Sequence, residues 1–247
     1  MFFVKAGAAL AVSLLFSSAA YAADTVAHDA ADLSVNWTGG YVGVHAGYGW
    51  GTVLDVNNPN ATEQDIDGGF GGIQAGYNHQ FSNNVVLGVE ADVSLGNVSG
   101  AFDGRTISVY NGYYTEDEIT ALGTLRARLG YSAGRFLPFV TGGLAWANVD
   151  HMLGCDRARV VGAPLPPTGC ATKFETSKSD IAVGWTVGAG AEYALTDKWS
   201  LKGEYLYTDL GKNRVMLVDA NFPGNPVNNR NFDMQFSAVK LGLNYRF

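Results

Sequence analysis

The chain has 247 residues and a formal net charge of −7; only 16% of its residues are charged, 12% are aromatic and 32 are Gly. An average soluble domain carries about 25% charged residues and about 7% Gly, so an ordinary solvated globule fits poorly. The acidic balance and the lack of a basic stripe exclude a nucleic-acid partner.

The chain starts Met1-Phe2-Phe3-Val4-Lys5, runs apolar from Ala6 to Phe16 and reaches Ala20-Tyr21-Ala22. A charged start, a short apolar stretch and an A-x-A site read as a secretory signal over residues 1–22, with cleavage expected after Ala22. The stretch is too short to span a bilayer as a helix, which needs about 20 residues. No Cys stands near the cleavage site, which argues against lipid attachment. Residues 23–36, with Asp24, Asp29 and Asp32 among alanines, read as a short, disordered periplasmic lead with no assigned role. A secreted chain without an apolar helix crosses a membrane only as a closed barrel, because nothing else satisfies its backbone there.

From residue 37 to 247 the pattern is period two, the signature of strands with one apolar face. Strand one is expected over about 38–50, with Val42, Val44, Ala46, Tyr48 and Trp50 on one face. Strand two spans about 68–81 and strand three about 85–97, joined by Ser82-Asn83-Asn84. Strand four (about 118–132) and strand five (about 136–149) flank Ala133-Gly134-Arg135. Strand six (about 180–195) and strand seven (about 199–210) flank Thr196-Asp197-Lys198, and strand eight runs about 233–247. Three short turns thus alternate with four long loops, roughly 51–67, 98–117, 150–179 and 211–231. Short turns inside and long loops outside are the outer-membrane arrangement, and an even strand number brings both termini to the periplasm.

Alternation alone does not say which face points out. A soluble barrel keeps its apolar face inside. Here the opposite face is built from Gly43, Gly47, Gly72, Gly76, Gly88, Gly184, Gly188, Gly190 and Gly242 with a few charges. That face is too small and charge-poor for a solvated exterior and suits a crowded lumen. Tyr77, Tyr131, Tyr193 and Tyr245 read as an inner aromatic girdle; Trp50, Trp146, Trp185, Tyr205 and Tyr207 read as an outer one. The fold expected is an all-β, eight-stranded, up-and-down antiparallel transmembrane barrel in a Gram-negative outer membrane.

Glu90, Asp92, Arg126, Arg128, Glu192, Lys202, Glu204 and Lys240 fall on the lumen parity. An eight-stranded barrel is only just wide enough for side chains to fill it, so these charges are expected to pair. Strands three and four carry opposite signs, as do seven and eight through Glu204 and Lys240. A packed, plugging network is the first reading, and a gated polar path for small ions the alternative.

Catalysis on such a barrel needs a His or acid near the outer rim beside a Ser or water. Of His28, His45, His79 and His151, none is expected to share a height with a Ser, and Gly68-Gly69-Phe70-Gly71-Gly72 is followed by no helix to cradle phosphate. No enzyme is expected. Cys155 and Cys170, the two cysteines, are expected to close the third loop as a disulfide in an oxidising compartment. With His151 they make an incomplete zinc set. Tyr110, Tyr113, Tyr114 and His151, with Met152, are weak candidates for haem contacts, since His, Met and Tyr ligate haem iron. Apart from hemin no cofactor is expected.

Trp37-Thr38-Gly39-Gly40-Tyr41-Val42-Gly43-Val44-His45-Ala46-Gly47-Tyr48-Gly49-Trp50-Gly51, Leu137-Pro138-Phe139-Val140-Thr141-Gly142-Gly143-Leu144-Ala145-Trp146 and the ending Leu241 to Phe247 together resemble the porin-family, immunogenic outer-membrane proteins, small barrels of Gram-negative bacteria. The resemblance covers roughly 37–247 and rests on strand and girdle residues. It implies an abundant envelope protein and surface antigen, in a group of which some members are described as hemin-binding or adhesive. Expected partners are outer-membrane lipid and lipopolysaccharide, a host ligand or hemin at the loops, and the barrel insertion machinery, which reads Tyr245 and Phe247. A monomer is expected.

Overall fold

The computed structural model describes residues 35–55, 64–103, 113–156, 172–217 and 228–247. Eight strands follow in order: β1 (Gly39–Asp55), β2 (Gln64–Gln80), β3 (Val85–Asp103), β4 (Tyr113–Tyr131), β5 (Phe136–Cys155), β6 (Phe174–Ala194), β7 (Trp199–Leu217) and β8 (Asn228–Arg246). Each pairs antiparallel with the next, and β8 returns to β1 to close the barrel. Closure leaves no free sheet edge up to the height of Trp185↔Asp209, where the β6–β7 ladder ends, and a closed ladder is what lets a sheet cross lipid.

The alternation decides which way the wall faces. Val44, Ile73, Leu95, Val140 and Leu241 are outward and more than half exposed, while Glu90, Arg126, Thr186 and Lys202 point inward and are buried. This is the inverse of a water-soluble barrel and matches an apolar exterior in lipid. Large inward side chains lie where a neighbouring strand carries Gly. A Cβ on Gly76 would sit 2.4 Å from the Tyr41 hydroxyl, and one on Gly47 would sit 2.6 Å from the Phe70 ring.

The short turns are tight, as expected. Phe81 N donates to Val85 O (2.8 Å) across Ser82–Asn84. Asn84 and Gly134 adopt left-handed φ of 64° and 65°, a conformation Asn and Gly tolerate best. Thr196 Oγ1 accepts from Lys198 N (3.2 Å) and Trp199 N (3.0 Å) in the third turn.

The other ends differ from expectation. The ladders run well past the residues first assigned to strands: β1–β8 pairing reaches Asp55↔Phe232, and β5–β6 pairing reaches Cys155↔Phe174. Apolar alternation stops where lipid stops, but backbone pairing does not need it. A bulge around Thr120 switches the inward set of β4 from Thr124, Arg126 and Arg128 below to Asp117 and Ile119 above.

The core lies inside the barrel in three layers. Val35, Trp37, Val86, Leu137 and Ala194 fill the end near the short turns. The charged groups occupy the middle. Above them lies an apolar layer that includes Phe70, Ile119, Val149, Leu210, Met234 and Phe236. That upper apolar layer adds to the expected crowded lumen of Gly and charges.

Candidate functional site

The middle layer assembles from five strands, β3, β4, β6, β7 and β8. Cross-strand register sets Glu90 of β3 opposite Arg126 of β4, and Arg126 Nη2 donates to Glu90 Oε1 at 2.5 Å. The same nitrogen reaches Asp92 Oδ2 at 3.0 Å, and Nη1 donates to Glu204 on the far side of the lumen. Lys202 Nζ donates to both Glu90 oxygens at 2.8 Å and lies 3.5 Å from Glu204 Oε2. Lys240 Nζ donates to Asp92 Oδ1 at 2.9 Å. Arg128 Nη2 donates to Glu192 Oε2 at 2.5 Å and stacks 3.8 Å over the Phe139 ring. Four carboxylates and four cations are therefore joined with no excess charge, and all eight side chains are at most 2% exposed.

The expected pairing between strands seven and eight is not made this way. Glu204 and Lys240 are register partners, yet Lys240 bonds Asp92 and Glu204 bonds Arg126. Lys240 and Glu204 find their partners across the narrow lumen rather than on the adjoining strand, whereas Arg126 also keeps its register partner Glu90.

Neutral groups complete the set, and sequence reading missed them. Tyr41 donates to Glu90 Oε2 (2.6 Å), Thr124 donates to Asp92, and Thr141 Oγ1 donates to Glu204 Oε1 (3.2 Å). Ser200 (2.5 Å) and Asn244 Nδ2 (2.9 Å) donate to Glu192 Oε1. Their signal was present: all share the lumen parity of the charges they serve.

Below this layer Trp37 is 1% exposed. Its Nε1 donates to Gly134 O (3.1 Å), its backbone N donates to Gln80 Oε1 (2.9 Å), and the Arg246 guanidinium lies 4.5 Å from its ring. The segment entering β1 thus corks the turn-side mouth. Val35 is buried with it, so the last residues of the segment read as disordered are packed.

The structure does bring one Ser and one His together. His45 Nε2 and Ser94 Oγ share a hydrogen bond of 2.8 Å in the filled lumen, with Phe70 edge-on to the imidazole. Gly72 on the strand between them leaves the room. No cleft reaches this pair, since His45 and Ser94 are both buried. His151 falls in the stretch expected as the third loop (roughly 150–179), yet it lies within β5 and points inward, with Nδ1 2.6 Å from Asp117 Oδ1.

Of the loop candidates, Tyr110 lies outside the described residues, and Tyr113 begins β4. Tyr114 is buried and donates to Glu175 Oε2 at 3.0 Å. It does not sit in an open loop beside His151. Cys155 ends β5 fully buried, and Cys170 lies outside the described residues. Lys173 donates to Asp156 (2.7 Å), which raises the ammonium pKa and ties the two ends of the third loop. At the C-terminus Tyr245 packs against Trp199 (5.1 Å between centroids) and Phe247 (5.6 Å), and Phe247 is 76% exposed. Among the described residues no group of His, Cys, Asp and Glu has the arrangement of a metal site.

A family model for the outer membrane protein beta-barrel domain matches residues 8–247. The chain belongs to that family. Within the outer membrane protein β-barrel family its relatives include the 31 kDa outer-membrane immunogenic protein of Brucella melitensis biotype 1, 38% identical over 96% of this chain and 97% of the relative. The 25 kDa outer-membrane immunogenic protein of the same organism is 30% identical over 96% of this chain and 95% of its own length. Among solved structures the chain resembles the outer membrane protein OprG from Pseudomonas aeruginosa, with a TM-score of 0.45, 12% identity, and coverage of 87% of this chain and 98% of that one. As a member of this family it is an outer-membrane β-barrel protein.

Proposed function

We propose that this protein is a non-conducting, non-enzymatic structural barrel of the outer membrane that presents its outer strand ends and loops as a surface antigen. The observation that carries the reading is the layering of the lumen: a neutral charge network lies between an apolar layer above and the Trp37 cork below. An ion entering would have to pass the apolar clusters on both sides and break paired charges, each step costly in a low-dielectric interior. The relatives' names as immunogenic proteins favour the antigen role.

The reading includes removal of residues 1–22, and a Cys155–Cys170 bridge, supported by Cys155 not being a free thiol. Insertion machinery engages Tyr245 and Phe247, and a monomer in lipid and lipopolysaccharide is the working unit. Hemin is disfavoured as a ligand at His151, because that imidazole is 3% exposed and bonded to Asp117.

Single-channel recording tests the reading. The barrel refolded as Ala23–Phe247 in a planar bilayer should stay electrically silent; steady unitary openings would overturn the plug and make the lumen a path.

A further inference from the structure

The wall of the barrel is not paired to the same height all round. The β6–β7 ladder stops at Trp185↔Asp209. On either side pairing continues: β5–β6 runs to Cys155↔Phe174, and β7–β8 runs to Leu217↔Asn228. Above Gly184, β6 is therefore laddered along one edge only, to β5. Local opening needs least free energy where backbone bonds are fewest. This end of β6 is the part of the wall that one side-chain contact can bias.

A buried ionisable group lies behind it. His151 of β5 points inward and is 3% exposed. On its β4 side Nδ1 lies 2.6 Å from Asp117 Oδ1. On its β6 side the register partner is Lys178, and Asp180 follows two residues on along the same face. His151, Asp180 and Ala182 line one small cavity with Val149, with Asn213 of β7 and with Met234 of β8. That cavity reaches across the inner mouth of the split.

The groups facing the imidazole are thus two carboxylates, Asp117 and half-buried Asp180, and one ammonium, the exposed Lys178. β7 and β8 bring the uncharged Asn213 and Met234. Glu116, Glu118, Asp150, Lys212 and Asp233 stand on the outward face of their strands.

A carboxylate only accepts hydrogen bonds. Nδ1 therefore holds the ring hydrogen, and Nε2 of the neutral ring is an acceptor turned away from Asp117. An acceptor beside the Asp180 carboxylate repels it. One proton reverses the sign: Nε2 becomes a charged donor, and an imidazolium lies between two carboxylates.

We propose that His151 is a proton-operated latch for the outer end of β6. Protonated, it holds Asp117 of β4 through Nδ1 and Asp180 of β6 through Nε2, and the singly laddered end of β6 is drawn onto the barrel. Neutral, it keeps Asp117 and releases Asp180. The outer surface is then tighter in acid than at neutral pH, the range in which an imidazole changes charge.

The test is amide hydrogen exchange on the whole mature barrel in lipid nanodiscs at about pH 5 and about pH 7.5, either side of the ordinary imidazole pKa, with the intrinsic pH dependence of exchange divided out. Protection of the amides from Phe174 to Val183 should be at least about tenfold higher at the lower pH, the effect of one charge-assisted hydrogen bond. Amides of β2 and β3 should not change. In His151→Gln, protection of the β6 end should be the same at both pH values. Asp180→Asn should lose the acid gain too, while keeping the heat-modifiable gel shift of a folded barrel. Asp180 is only half-buried, so this second variant decides the matter even if His151→Gln does not fold. Equal protection of the parent at both pH values would overturn the latch. So would an acid gain that survives either substitution.

Discussion

Arg126 joins Glu90, Asp92 and Glu204 in one buried cluster. Removing one partner of a buried ion pair typically costs about 3–5 kcal/mol, because the charge left behind has lost its solvation and its mate. Arg126→Met should lower stability by about that amount in urea unfolding from lipid vesicles. Adding Glu204→Gln should recover part of the loss, since the two residues share a contact and their effects are not additive. Matching unfolding midpoints for Arg126→Met and the parent would show the network stabilises nothing. The eight charges were legible in the sequence because period two assigns each to a face. Their partners were not, because Lys240 reaching Asp92 rather than Glu204 depends on how eight strands close.

The Val35–Trp37 segment does for the turn side what Phe70 and Phe236 do for the other. Trp37 fills its site completely and is fixed by two hydrogen bonds and the Arg246 guanidinium. Trp37→Ala should cost about 3–5 kcal/mol, the usual range for emptying an aromatic site. The check is the denaturant midpoint, together with proteolysis of the N-terminal segment, which should become faster. A variant as stable and protease-resistant as the parent would mean the cork is passive. The elements themselves could be read from alternation and turn residues. Their outer ends could not, since nothing in Glu116-Asp117-Glu118 or Lys178-Ser179-Asp180 alternates apolar with polar, yet both stretches lie in ladders. The upper apolar layer was readable in principle: Phe70, Leu210, Met234 and Phe236 sit on the parity taken as polar.

For the molecule as a whole, the C-terminus separates assembly from stability. Phe247 is exposed, and its backbone N donates one hydrogen bond to Gly40 O (3.0 Å). Little of the finished barrel rests on it. Deleting Phe247 should therefore lower outer-membrane abundance several-fold while the fraction that does insert keeps the parent's thermal stability. Unchanged abundance would count against a role for Phe247 in insertion.

The strands that climb beyond the lipid have a further effect on anything approaching from outside. Pairs such as Asp103↔Tyr114 and Cys155↔Phe174 hold backbone in register far above the girdles. A binding protein that covers about 800 Å² on its target meets a stiff palisade there, already ordered before contact. Little entropy is lost in gripping such a surface. Sera raised against the folded barrel should thus recognise shapes made by several strands together, and those shapes vanish when the barrel is boiled apart.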